Sequence, residues 1–272
     1  VHLVGALAPA LCLTASLGSA PLGAQATDST RSREPLFSTG DALFAAGFVA
    51  GTIALAPLDV QVARTLQGER PQANRTLKNV ATGFRVLGVP GSAIFGGALY
   101  ALGRASGHRR VADVGLHTGE AIVVAEGFTF LVKGLAGRER PYVDIDNPFD
   151  FKLARGFGDG RFRSFPSGHT VAAFAAAAAL TSELSREDSD AKWLVGPLLY
   201  GGATLVGASR LYDSRHWASD VAAGAAIGTF SGWKTVRYSH SHPGNEVDGV
   251  LLGVTIPTGG GPALLWIAPA PR

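Results

Sequence analysis

The chain contains no methionine, one cysteine and no block of lysines or arginines. The missing methionine reflects coding bias and points to no function. The lone cysteine, Cys12, lies in the N-terminal apolar stretch, behind Leu11 where a lipid-attachment box calls for a small residue. A chain processed beyond it has neither a disulfide nor thiol chemistry. The formal charge is only +3. Without a basic run to focus it, that charge is too weak to imply a nucleic-acid partner. No internal repeat is present.

What the chain does have is apolar length. Its 272 residues, 46% of them hydrophobic, suit one domain or two small ones with a sizeable core. Residues 3–22 are uncharged and rich in Ala and Leu, and Ala24-Gln25-Ala26 follows as a small-x-small site. Residues 1–26 therefore read as a secretory signal peptide, although no basic n-region precedes the apolar part. Six further apolar segments, 42–58, 86–103, 111–132, 167–184, 193–208 and 216–233, read as helices. Their charge-free runs are near the lower limit of the roughly 17–25 residues that span a bilayer, so buried bundle helices and short transmembrane helices both fit. Residues 67–78 read as a polar, Pro-containing connection. After Lys234 the helical pattern stops. Segments 249–255 and 262–267 flank a Gly-rich turn and predict a short β-hairpin in a tail spanning 239–272, behind a main domain of 27–238.

Three charged clusters interrupt the apolar segments: Lys133 to Arg140-Pro141, then Pro166-Ser167-Gly168-His169, then Ser209-Arg210 to His216 and Asp220. If the helices pack antiparallel, the ends that carry these clusters fall on one side and the clusters meet. Lys133 and Arg140 are seven residues apart and face the same way if the helix persists between them, with Gly134 and Gly137 free to loosen it. The Arg fork matches two oxygens of a phosphate, while Lys acts as a point charge. Ser167 can cap the Ala-rich helix that starts at Gly168, whose unpaired N–H groups point at any anion placed there, with His169 in the first turn. His216 and Asp220 share a helix face at i and i+4, so the carboxylate can hold one ring nitrogen while the other faces an electrophile. Arg210 adds another oxygen clamp, and Ser209 can cap or bind the anion. Taken singly, each cluster also fits a solvated turn or an exposed histidine. Together they are equipped for phosphoryl transfer.

The pattern Lys-x6-Arg-Pro, Pro-Ser-Gly-His and Ser-Arg-x5-His-x3-Asp, spanning residues 133–220, resembles that of the type 2 phosphatidic acid phosphatase (PAP2) family. Vanadium-dependent haloperoxidases and bacterial acid phosphatases share its superfamily. The resemblance implies an all-α bundle of about six helices, to which the sequence adds the C-terminal β-hairpin. It implies that His216 is the nucleophile, oriented by Asp220, and that His169 is the general acid. Lys133, Arg140 and Arg210, with Ser167 and Gly168, would hold the phosphoryl oxygens. No metal or other cofactor is expected, since fixed cations do the electrostatic work, and vanadate is expected to inhibit. His240 and His242 offer two ligands at most and read as a polar tail.

The expected substrate is a lipid phosphate, with the protein exported and its site facing the periplasm at the cell membrane. A soluble periplasmic acid phosphatase is the nearest alternative, separable by whether activity follows membranes or the soluble fraction. A haloperoxidase with vanadate as cofactor is a second, though residues 141–166 leave little material for a halide pocket. A non-enzymatic membrane scaffold is a third, opposed by the intact polar constellation. Residues 142–163, with Asp144, Asp146, Asp150 and Arg163, are expected to border the entrance, and the acid-rich turn 183–190 to face solvent at the opposite end.

Overall fold

The alanine-rich run at 172–179 becomes the buried centre of the computed structural model, which describes residues 37–187 and 190–242. The leader at 1–26 and the hairpin at 249–267 lie outside the described residues. In chain order the helices are α1 (Thr39–Leu55), α2 (Asp59–Gln67), α3 (Glu69–Ala73), α4 (Arg75–Val86) and α5 (Ser92–Ser106), then α6 (Arg109–Ala136), α7 (Gly168–Arg186), α8 (Lys192–Tyr212) and α9 (Ala218–Ser241). Helix α7 packs against α6, α8 and α9; α5 lies on α6, α4 on α8 and α1 on α9.

Alanines hold this core together through proximity. A buried methyl contributes only about 0.8 kcal/mol, so the pairing of α7 with α9 depends on many close atomic contacts. Gly228 and Gly232 allow that approach: a Cβ on either would stand 2.4 Å from the carbonyl oxygen of Val171 or Ala175. Ala121, Ile122 and Ala125 of α6 close the same cluster from the other side.

Helix α1 begins with a capping box, Asp41 N–H donating to Ser38 Oγ and Ser38 N–H to Asp41 Oδ2, an arrangement worth about 1 kcal/mol. Lys234 pairs with Asp41 at 2.6 Å, and Phe44 packs on Phe230, so α1 is tied to α9. Two stretches, Thr39–Gln67 and Arg75–Ser106, are long and apolar enough to cross a membrane. Many of their apolar side chains face outward, Leu43 being 71% exposed.

The expectation of about six helices with a hairpin is corrected. Nine α-helices are present among the described residues, seven of them of twelve residues or more. No strand occurs there, only an isolated antiparallel bridge between Arg138 and Phe151. The extra helices occupy what reads as a polar connection. Asn74 caps α4 by accepting from Thr76 and Leu77 N–H. Gln67 and Gln72 donate to the Tyr212 carbonyl, and the Tyr212 hydroxyl returns a bond to the Pro71 carbonyl. These tertiary contacts stabilise short helices that their own propensity would not. Helix α9 also runs on to Ser241, beyond the end expected at Lys234.

Candidate active site

Helix α6 ends at Ala136 because Gly137 adopts the left-handed conformation, at φ 55°. The chain then doubles back, Lys152 N–H donating to the Gly137 carbonyl and Glu139 N–H to that of Asp150. The helix therefore does not persist to Arg140, which reaches the site from a loop. It still meets Lys133: Lys133 Nζ donates to the Arg163 carbonyl at 3.0 Å and to the Pro166 carbonyl, and Arg140 Nη2 approaches the same Arg163 carbonyl at 3.4 Å.

The starts of α7 and α9 are stitched together, Ser167 N–H donating to the Asp220 carbonyl at 3.0 Å. Ser167 is fully buried; its Oγ accepts from Thr170 Oγ1 and makes no capping bond to α7. Gly168 stands beside the Glu126 carboxylate, whose Oε2 would be 3.2 Å from a Cβ there. The His169 ring lies against the backbone at Gly88, in the kink between α4 and α5. Arg210, in the last turn of α8, pairs with Asp213 at 2.8 Å and keeps a buried Nε with no hydrogen-bond partner among the described residues. Ser209 turns its hydroxyl into its own helix, donating to the Val206 carbonyl at 2.6 Å.

His216 Nδ1 lies 2.6 Å from the Ser164 carbonyl oxygen. A carbonyl can only accept, so Nδ1 carries the proton and Nε2 keeps its lone pair. Asp220 Oδ2 is 3.7 Å from Nδ1, too far for a hydrogen bond. Its carboxylate instead accepts from Ser164 Oγ at 2.5 Å, Trp217 N–H at 2.8 Å and Arg138 Nη1 at 2.6 Å. Arg138 also reaches Asp59 Oδ2 at 2.8 Å and the Pro148 carbonyl, and Asp59 accepts the N–H and hydroxyl of Ser219. Asp59, Arg138 and Asp220 thus form a buried charge triad, in which the planar fork satisfies both carboxylates.

Arg138, Asp59, Ser164, Gly88 and Glu126 were not singled out for the site from sequence. Arg138 stands inside the first basic cluster, and Asp59 is the one charged residue between Asp41 and Arg64; both signals were available. Ser164, Gly88 and Glu126 carry no local pattern that would separate them from structural positions.

The charges act on one another. Burial, with Lys133 and Arg140 adding and Asp220 opposing, brings His216 down to about 3. Burial and the charges of Arg210, Lys133, Arg85 and Arg140 bring His169 down to about 4. Burial also lowers Lys133 to about 8 and lifts Glu126 to about 7, Lys133 opposing the latter. Both imidazoles are therefore neutral at pH 7, in a concentration of positive charge suited to an oxyanion.

One end of the helical bundle thus gathers Lys133, Arg140 and Arg210 around two histidines that are neutral at pH 7. Residues 115–242 match the family described as the PAP2 superfamily. Over 71 residues it is 44% identical to the lipid A 1-phosphatase of Porphyromonas gingivalis, a match covering 25% of this chain and 15% of that protein. The chain thus aligns with a small part of that relative's length. The crystal structure of a transmembrane PAP2 type phosphatidylglycerolphosphate phosphatase from Bacillus subtilis superposes with a TM-score of 0.55 at 22% identity, covering 73% of this chain and 95% of the other. That likeness concerns the fold.

Proposed function

We propose that the protein is a membrane-associated, metal-independent phosphatase that removes phosphate from lipid phosphomonoesters or diphosphates through a phosphohistidine at His216. The observation that carries this reading is the bond from His216 Nδ1 to the Ser164 carbonyl. It leaves Nε2 unprotonated within the field of Lys133 and Arg140.

In the first step the Nε2 lone pair attacks phosphorus, the P–N bond forms and the P–O bond to the lipid breaks. His169 gives the leaving oxygen its proton; the bound phosphate supplies the negative charge that raises His169 from its depressed free-state value. In the second step His169 takes a proton from water, whose oxygen attacks phosphorus and releases His216. Lys133, Arg140 and Arg210, with the N–H groups at Gly168, face the equatorial oxygens and stabilise their charge without reorganising. Asp220 acts through Ser164, holding the residue whose carbonyl fixes the ring. The apolar stretches Thr39–Gln67 and Arg75–Ser106 enter the bilayer and bring the site to its substrate. The names of both relatives, one acting on lipid A and one on phosphatidylglycerolphosphate, support a lipid substrate.

The test is a panel of phosphatidylglycerolphosphate, phosphatidic acid, polyprenyl diphosphate and soluble phosphomonoesters, assayed on detergent-purified protein with excess chelator. Higher kcat/KM on the lipid phosphates, with vanadate competing, is expected. Activity that disappears on chelation and returns with a divalent ion overturns the metal-free mechanism. Equal or better use of the soluble esters overturns the lipid reading.

A further inference from the structure

At the ends of α6, α7 and α9 away from the phosphate site, a second polar cluster is built from one residue of each helix. His117 lies before Lys133 in α6, about 24 Å along the axis at ~1.5 Å per residue. Glu183 is in the last turn of α7, and His240 in the last turn of α9. Of the acid-rich turn expected to face solvent, Glu187 and Asp190 are exposed, but Glu183 is only 6% exposed. His240, expected in a polar tail, belongs to α9.

The carboxylate of Glu183 is clasped between two imidazoles. Oε1 lies 2.5 Å from His117 Nδ1, and Oε1 and Oε2 lie 3.1 and 3.0 Å from His240 Nε2. The two rings stand edge to face at 5.2 Å. We propose that His117, Glu183 and His240 form a site for a divalent transition-metal ion, zinc foremost, which pins α6, α7 and α9 together at this end.

Several features fit an ion of that class. Two nitrogens and one carboxylate oxygen from three rigid helices are the donor set that zinc accepts, leaving a fourth position for water. The three ligand atoms already lie within 4.8 Å of one another. Zinc bonds of about 2.1 Å in a tetrahedron place ligand atoms about 3.4 Å apart. Glu183 must therefore draw back from His117 by about 1 Å, within the reach of side-chain rotation. His117 and Glu183 are buried, whereas the His240 side chain is 31% exposed and offers the path by which the ion enters. Distance from Lys133 and His216 makes this ion structural, with no part in phosphoryl transfer.

Full-length protein is stripped with chelator, desalted and titrated with Zn²⁺ or Co²⁺ alone. One ion per chain, a rise in melting temperature and the visible absorption of four-coordinate Co²⁺ are expected. His240→Ala, at a partly exposed position that folding tolerates, should weaken zinc by at least the ~10–100-fold that loss of even an outer partner costs. It should also remove the Co²⁺ absorption and leave phosphate hydrolysis unchanged. Glu183→Gln should do the same to metal binding, and His242→Ala should bind zinc like the parent. A stoichiometry far below one, or equal affinity in the parent and His240→Ala proteins, overturns the site. Loss of zinc in His242→Ala as large as in His240→Ala also overturns it, because the ion is then held by the exposed histidines of the chain end.

Discussion

A methyl group on Gly88 would stand 2.8 Å from Cδ2 of His169 and 3.1 Å from its Cβ, so the kink after α4 sets how far the His169 ring can retreat. Gly88→Ala should push the ring toward the phosphate-binding side while leaving the chemistry in place. Turnover on an alkyl phosphate should fall by on the order of 10²-fold, the scale of a 1 Å misplacement. His169→Ala should lose roughly 10²–10⁴-fold, the range of general acid–base catalysis. Both losses should shrink on a nitrophenyl ester, whose leaving group needs no proton. A Gly88→Ala enzyme with parental rates on both esters would show that His169 has room to spare.

Quenching during turnover without acid should trap phosphate on His216, and His216→Ala should abolish trapping and hydrolysis at unchanged helical content. Asp220→Asn should be the milder change, because the carboxylate reaches the ring through Ser164 and not by direct contact. Mass spectrometry of the trapped peptide decides between His216 and His169 as the labelled residue.

The rate constant kcat/KM reports the free enzyme, and it should fall as pH rises from 7 to 9. Glu126 loses its proton near 7 and places a negative charge beside Gly168; Lys133 loses its positive charge near 8. Both changes oppose anion binding. Glu126→Gln should remove the first part of this fall and leave the part near 8, which the ratio of the two enzymes' profiles on one substrate isolates. Superimposable profiles would remove Glu126 from the site.

Arg138→Ala should lower unfolding stability by about 3–5 kcal/mol, the usual consequence of leaving a buried charge unpaired, here two carboxylates. Arg138→Lys should recover only part, since an ammonium cannot match the fork that spans Asp59 and Asp220. Denaturant unfolding measures both, and a loss below about 1 kcal/mol, the scale of a surface pair, would show that water already screens the triad.

Much of the site was legible because its chemistry is concentrated in sequence. Lys133, His169, Arg210 and His216 each sit at the end of an apolar helix, and antiparallel packing alone predicts where those ends meet. Arg140 was found for a reason that the structure replaces: a left-handed Gly137 and a folded-back loop, not two turns of helix, bring it beside Lys133. Glu126 and Gly88 were not legible, since their importance comes from neighbours 42 and 81 residues further along the chain, Gly168 and His169. Helices α2 to α4 escaped for a similar reason. Tyr212, far away in sequence, holds α2 and α3, and α4 packs on α8.

The seam where Gly228 and Gly232 face α7 shapes how a residue-by-residue tolerance map of this protein would look. Any side chain at either position meets a carbonyl oxygen at 2.4 Å, so replacements there should score as severely as loss of a catalytic histidine. Read without the structure, such a map would draw a sensitive stripe along α9 leading away from His216 and suggest a second functional surface. The stripe records how closely two helices must lie for a core made of alanine to hold, and an abundance measurement beside the activity measurement would separate it from the residues that perform chemistry.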